Sequence, residues 1–210
     1  MKKIDVNTWN RKEVYLFFQH FDYPKFSVTV DLDVTNFYQI VKEKKRSFYF
    51  SMIHVLMSEM NEIENFKYRI QNQDIYVCEK IHPSFTDLID QTDRFKIVNT
   101  EYVDDVDMFI KNARNKSIAQ GEKFINYDDE IRQDLVYITT FPWAKFTHVT
   151  NAYHEAHKDS IPRVCFGKFE KTNGKLLMPL SIEVHHGCMD GIHVGKFFEK
   201  LQDRLNHYSL

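Results

Sequence analysis

The chain has 210 residues, 43% hydrophobic and 15% aromatic, with 28 basic and 30 acidic side chains and a net charge of -2. Such a composition can bury a sizeable core, which excludes a disordered chain, and its charge balance lacks the basic excess of a general nucleic-acid binder. No run approaches the ~18 apolar residues of a membrane helix, and the start Met1-Lys2-Lys3-Ile4-Asp5 lacks the apolar stretch of a secretory signal.

Trp9 to Phe21 carries Trp9, Val14, Leu16, Phe17, Phe18 and Phe21 at helical spacing, with capping oxygens on Asp5, Asn7 and Thr8. Phe26 to Asp33 alternates apolar and polar residues, which predicts a strand with one wet face. A helix over 36–44 follows, capped by Thr35 and ending in a basic cluster, Lys42 to Arg46, that suits a helix C-terminus. Another over 52–62 is capped by Ser51, with its methionines as core filler. Strands at 67–70 and 75–78 flank the turn Gln71-Asn72-Gln73-Asp74, and two more follow at 84–89 and 95–98.

Asp104 to Gln120 reads as a surface helix with Val106, Phe109, Ile110, Ala113 and Ile118 inward and Gly121 as its stop. Residues 128–134 form a charged helix or turn, 135–140 a strand, and Pro142 argues against a central strand after it. Residues 151–160 are loop-like. Strands at 163–169 and 176–183 surround the turn Thr172-Asn173-Gly174, and a last helix runs from Val194 to Leu205. Helices and strands mix without steady βαβ alternation. The expected fold class is α+β, a two-layer arrangement of a mixed sheet with helices packed on it, in one domain over 1–210.

The three cysteines, Cys78, Cys165 and Cys188, have no metal spacing and fit reduced thiols in a cytoplasmic protein. Chemistry concentrates in Glu183-Val184-His185-His186-Gly187-Cys188-Met189-Asp190-Gly191, where the last strand hands over to the last helix. A neutral imidazole on a rigid strand end suits a general base. His185 points to the other face of an extended chain and reads as support. Metal binding by His-x-x-x-Asp would need a third ligand that is not apparent, so no metal is expected. Cys188 as a nucleophile has no geometric support.

The His-His-x-x-x-Asp-Gly pattern resembles the signature of the chloramphenicol acetyltransferases. Trp9-Asn10-Arg11-Lys12-Glu13, the segment from Thr29 to Phe37, Phe48-Tyr49, Ile53-His54, His82-Pro83, Pro142-Trp143 and Met178-Pro179-Leu180 fall in the order that family has them. The resemblance implies the CoA-dependent acyltransferase fold and a homotrimer with interfacial active sites. It implies an O-acetyltransferase acting on chloramphenicol or a related small acceptor, with acetyl-CoA as co-substrate and no permanently bound cofactor. It makes His186 the base and pairs Asp190 with Arg11 in a positioning role. It puts Phe21, Tyr23 and Phe26 at the acceptor pocket and Tyr49 and Phe169 near the coenzyme.

Two departures from the family are expected to matter. His148 stands where the family usually places a serine that donates to the oxyanion, and Cys165 stands where it commonly has a threonine near an ordered water. They motivate an alternative, a catalytically weak or inactive trimeric homologue that still binds CoA or a ligand. A third expectation, a dihydrolipoyl acyltransferase core with its Asp-His-x-x-x-Asp-Gly motif, would require lipoyl and subunit-binding modules ahead of this sequence.

Overall fold

A computed structural model describes residues 1–127, 132–155 and 158–209. The charged segment expected at 128–134 falls largely outside them. Strand β1 (Lys2–Ile4) precedes helix α1 (Lys12–Phe18), strand β2 (Lys25–Asp33) and helices α2 (Thr35–Glu43) and α3 (Phe48–Asn61). A short 3-10 turn (Glu64–Lys67) leads to β3 (Tyr68–Gln71), β4 (Asp74–Val77), β5 (His82–Leu88) and β6 (Phe95–Asn99). Helix α4 (Val106–Gln120), strands β7 (Leu135–Phe141), β8 (Arg163–Gly167), β9 (Glu170–Thr172) and β10 (Lys175–His185), and helix α5 (Gly191–Asn206) complete it.

The large sheet runs β2-β10-β8-β7-β5-β6, with β9 paired to β10. It is mixed: β5-β7 and β7-β8 are parallel, and the other pairings are antiparallel. β2 and β10 pair from Leu177 opposite Asp33 to His185 opposite Lys25. Period-two alternation then gives the sheet two faces. One carries Leu180, Ile182, Val184, Val164, Phe166, Val136, Ile138 and Phe85, packed against apolar stripes of α2, α3, α4 and α5. The other is polar, with Lys25, Ser27, Glu183, Ser181, Arg163, Cys165, Thr139, Ser84 and Thr86. The connection between β7 and β8 crosses this polar face. Lys145 pairs with Asp31 there at 2.8 Å, and a Cβ on Gly167 would lie 2.7 Å from the Phe146 ring, so that crossing needs glycine.

A second sheet, β1-β4-β3, carries a separate core of Trp9, Tyr15, Tyr68, Ile70, Ile75 and Cys188. It joins α1 to the turn after β10. β1 is too short for a pattern and was not expected from the sequence. The hairpin turn holds Asn72 and Gln73 at φ 49° and 69°, as a two-residue loop between twisted strands requires. Some boundaries move for physical reasons. Helix α3 starts a turn early because Ser47, not Ser51, accepts the Phe50 N–H (3.4 Å). Ile118 faces solvent at 76% exposure, since the buried stripe of α4 runs through Phe109, Ile110, Ala113 and Ser117 and leaves the next position outside it.

Candidate active site

The turn from β10 into α5 is closed by its own backbone. Cys188 and Met189 donate N–H groups back to the His185 carbonyl at 2.9 and 3.2 Å. Gly187 N–H donates to His185 Nδ1 at 3.0 Å, and Asn65 Nδ2 donates to the Cys188 carbonyl at 3.0 Å. Asp190 N–H donates to His193 Nδ1 at 3.0 Å while His193 N–H returns to the Asp190 carbonyl, a reciprocal helix start.

His186 is held from β2 and α1. Its N–H donates to the Pro24 carbonyl at 2.8 Å. Its ring lies 4.2 Å from Phe18, nearly parallel, and 4.7 Å from Phe26. Nδ1 is buried and 3.2 Å from Asp190 Oδ1, close enough for an ion pair but not aligned as a hydrogen bond. The side chain is 34% exposed, so its open edge is the opposite one, which carries Nε2. Aromatic packing and its own backbone fix this ring, with Asp190 acting as a nearby charge.

Asp190 is engaged by Arg11. Arg11 Nη1 donates to Oδ2 at 2.7 Å, and Nη2 donates to Oδ1 at 3.0 Å and to the His186 carbonyl at 3.2 Å. This fork ties the start of α1 to both ends of the turn. Hydrogen bonds from Arg11, with its charge, hold the Asp190 carboxyl below its ordinary value despite partial burial. Asp190 is therefore ionised at neutral pH. Cys188 is buried, and burial pushes its thiol up to about 12, so it is no thiolate nucleophile.

A sequence profile of the chloramphenicol acetyltransferase family matches residues 1–202. The chain belongs to this family. The chloramphenicol acetyltransferase of Escherichia coli is 30% identical over 205 residues, 98% of this chain and 94% of the relative. A solved chloramphenicol acetyltransferase, 27% identical, superposes with a TM-score of 0.90 over 97% of this chain and 99% of its own. The dihydrolipoamide acetyltransferase of Azotobacter vinelandii is similar in fold alone, at 15% identity and a TM-score of 0.67, covering 99% and 92% of the two chains.

In this acetyltransferase-family chain the remaining expected residues divide into four places. Tyr23, Phe26 and His148 line a cleft of about 480 Å³ on the polar face, with Lys25, Ser27, Asn151 and Glu183. Phe26 also touches the His186 ring, so His186 and the cleft share a wall. Burial, then Glu183, pushes the Tyr23 hydroxyl up to about 12, and it donates to Glu183 Oε2 at 2.7 Å. Phe21 stays 43% exposed against Phe17 and Phe18. Cys165 lies mid-sheet between Thr139 and Ser181, its thiol raised to about 11 by burial. Tyr49 and Phe169 sit towards the helix side. Tyr49 donates to the Thr86 carbonyl at 2.6 Å, which commits its hydroxyl inside the chain, and Phe169 packs on Tyr38 and Phe48.

A second cavity of about 230 Å³ on the polar face is lined by Thr86, Tyr137, Thr139, Asn151 and Arg163 among others. Thr139 and Thr86 hydroxyls meet there at 3.1 Å. Phe18, Pro24, Thr139 and Asn151 carry no motif signal. Only Phe18 could have been found, two helical turns after Arg11 and so on the same side of α1. Among the described residues no group of three His, Cys, Asp or Glu side chains could hold a metal ion, and no helix is long and apolar enough to cross a membrane.

Proposed function

We propose that this chain transfers acetyl from acetyl-CoA to a hydroxyl of chloramphenicol or a related small acceptor, directly and within a ternary complex. The observation that carries this is the His186 ring, buried at Nδ1 and open at Nε2. Nε2 takes the proton from the acceptor hydroxyl as its oxygen bonds to the thioester carbonyl carbon. The tetrahedral intermediate then collapses, the C–S bond breaks, and the imidazolium returns the proton to the leaving CoA sulfur. Arg11 holds Asp190 and the turn, and the Asp190 carboxylate lies beside the ring that becomes positive. Acetyl-CoA acts as co-substrate, and no resident cofactor takes part in these steps.

Two groups could donate to the oxyanion. His148 offers an imidazole N–H from the 480 Å³ cleft, and Thr139 offers a hydroxyl from the 230 Å³ cavity. Tyr49 and Phe169 are assigned to the coenzyme side, Phe21, Tyr23 and Phe26 to the acceptor side, and Cys165 to the floor between. We further propose one domain that assembles as a homotrimer with interfacial sites. The polar sheet face and the exposed rings of Phe17, Phe21 and Tyr23 beside His186 support that assembly. Three free, buried cysteines fit a cytoplasmic setting.

The test mixes purified protein with acetyl-CoA and chloramphenicol and follows thiol release. Release is expected, and His186→Ala should lower kcat by ~10²–10⁴. No release with chloramphenicol or a panel of small alcohols, with CoA still bound, would favour the weak or inactive homologue that His148 and Cys165 motivate.

A further inference from the structure

Lys25 opens β2 directly beside the base. Its neighbours both touch His186: the Pro24 carbonyl accepts the His186 N–H, and Phe26 packs on the ring. Lys25 itself points to the opposite face of the sheet, across from His185. There its side chain is 1% exposed, with Nζ 3.6 Å from Asp159 Oδ2 and 4.0 Å from the centre of the Tyr153 ring. Arg163 approaches the same ring at 4.0 Å and donates to Asp159 Oδ2 at 2.5 Å. Beside them the buried Glu183 accepts from Tyr23, Ser27 and Asn151 at 2.7, 3.1 and 3.1 Å. Asn151, Tyr153 and Asp159 belong to the connection that crosses the polar face, and Asn151 lines both cavities.

We propose that Lys25 is a positioning residue: its buried ammonium ties the crossing connection, which walls the acceptor cavities, to the strand end that holds His186. A methylene chain without the charge would fill the space but leave Asp159 and Tyr153 held by Arg163 on β8, without the cation that links them to the start of β2. The groups that face Lys25 are Asp159, Arg163, Glu183 and Tyr153, with Tyr23 and His148 along the cleft and His185 across the strand pair. Burial, only partly opposed by Asp159, lowers the Lys25 amine from its ordinary 10.5 to about 8. The tie is therefore charged and intact below that pH and is lost above it. The inference rests on His186 as the base, and its test separates the two ideas.

The experiment compares wild type, Lys25→Met and Lys25→Arg from pH 6.5 to 9.5 by two readouts. The first is steady-state transfer from acetyl-CoA to chloramphenicol. In wild type kcat/KM for the acceptor should fall above pH 8. Lys25→Met should lose roughly tenfold at neutral pH with the acetyl-CoA KM within about twofold, and Lys25→Arg should restore most of the loss without the alkaline fall. The second readout is the His186 ring signal in histidine-labelled protein, identified by its absence from His186→Ala. In wild type this signal should show an added inflection near pH 8 that disappears in Lys25→Met. An unchanged rate profile and an unchanged His186 signal in Lys25→Met overturn the proposal. A wild type without transfer that keeps the Lys25-dependent inflection overturns the acetyl-transfer function and leaves the positioning role standing.

Discussion

Removing either partner of the Arg11–Asp190 fork should harm the protein unequally. The Arg11 side chain is 9% exposed and the Asp190 side chain 36%. Asp190→Ala strands a guanidinium in a place where water hardly reaches, which costs about 3–4 kcal/mol. Arg11→Ala leaves a carboxylate that solvent can still hydrate, so its cost falls to about 1–2 kcal/mol. For a chain of this size that corresponds to a Tm drop of roughly 6–16 °C for Asp190→Ala and half of that or less for Arg11→Ala. The double variant should lose less than the sum, with a coupling of about 1–3 kcal/mol. Both variants should also lower kcat/KM by ~10–10², because the fork fixes the turn that sets His186 Nε2. The assay is thermal and urea unfolding at fixed protomer concentration, with thiol-release kinetics. Because Asp190 is depressed in the folded state, the coupling is present above the ordinary carboxylate range and disappears as pH falls through the folded value. Equal losses in the two single variants, or coupling below about 0.5 kcal/mol with unchanged rates, would refute the argument.

The oxyanion donor can be assigned by paired variants. If the Thr139 hydroxyl donates, Thr139→Val should lower kcat by ~10²–10³ and His148→Ala by less than about tenfold, and the reverse order would give the role to His148. Cys188, buried with a raised thiol, should resist alkylation in the folded protein at pH 8 and react in urea, and rapid native labelling would contradict its packing. Lys25 separates stability from catalysis. Its folded value lies below the unfolded one, so folding binds fewer protons between pH 8 and 10.5 and stability gains from this group as pH rises through that window. Below pH 8 the full burial penalty, at most about 3 kcal/mol, is present. Lys25→Met should therefore melt no lower than wild type at pH 7 despite its slower transfer, and a large drop in Tm would count against this account.

The helices and most strands were legible because their patterns are local. Phe26 to Asp33 alternates, α5 repeats its apolar stripe, and Asn173-Gly174 turns where left-handed φ angles of 50° and 81° are needed. Failures came where local pattern was silent. β1 has three residues and gains its partner only from β4, and Ser47 and Ser51 are equally good caps until packing buries Ser51.

The same division holds at the site. Sequence alone determined the chemistry present: a histidine at a strand end, an acid four residues on, and an arginine near the start of the chain's first helical stretch. Tertiary structure decided what each atom does. It seated Arg11 on both Asp190 oxygens, packed the His186 ring against Phe18 and Phe26 with Nδ1 buried towards Asp190, and set Thr139 beside Cys165 by strand register. It also placed Lys25 behind His186, between the two residues of β2 and its lead-in that touch the ring and its backbone. Side-chain type and period are fixed within a few residues of chain, whereas register and burial are settled by which distant faces exclude water together.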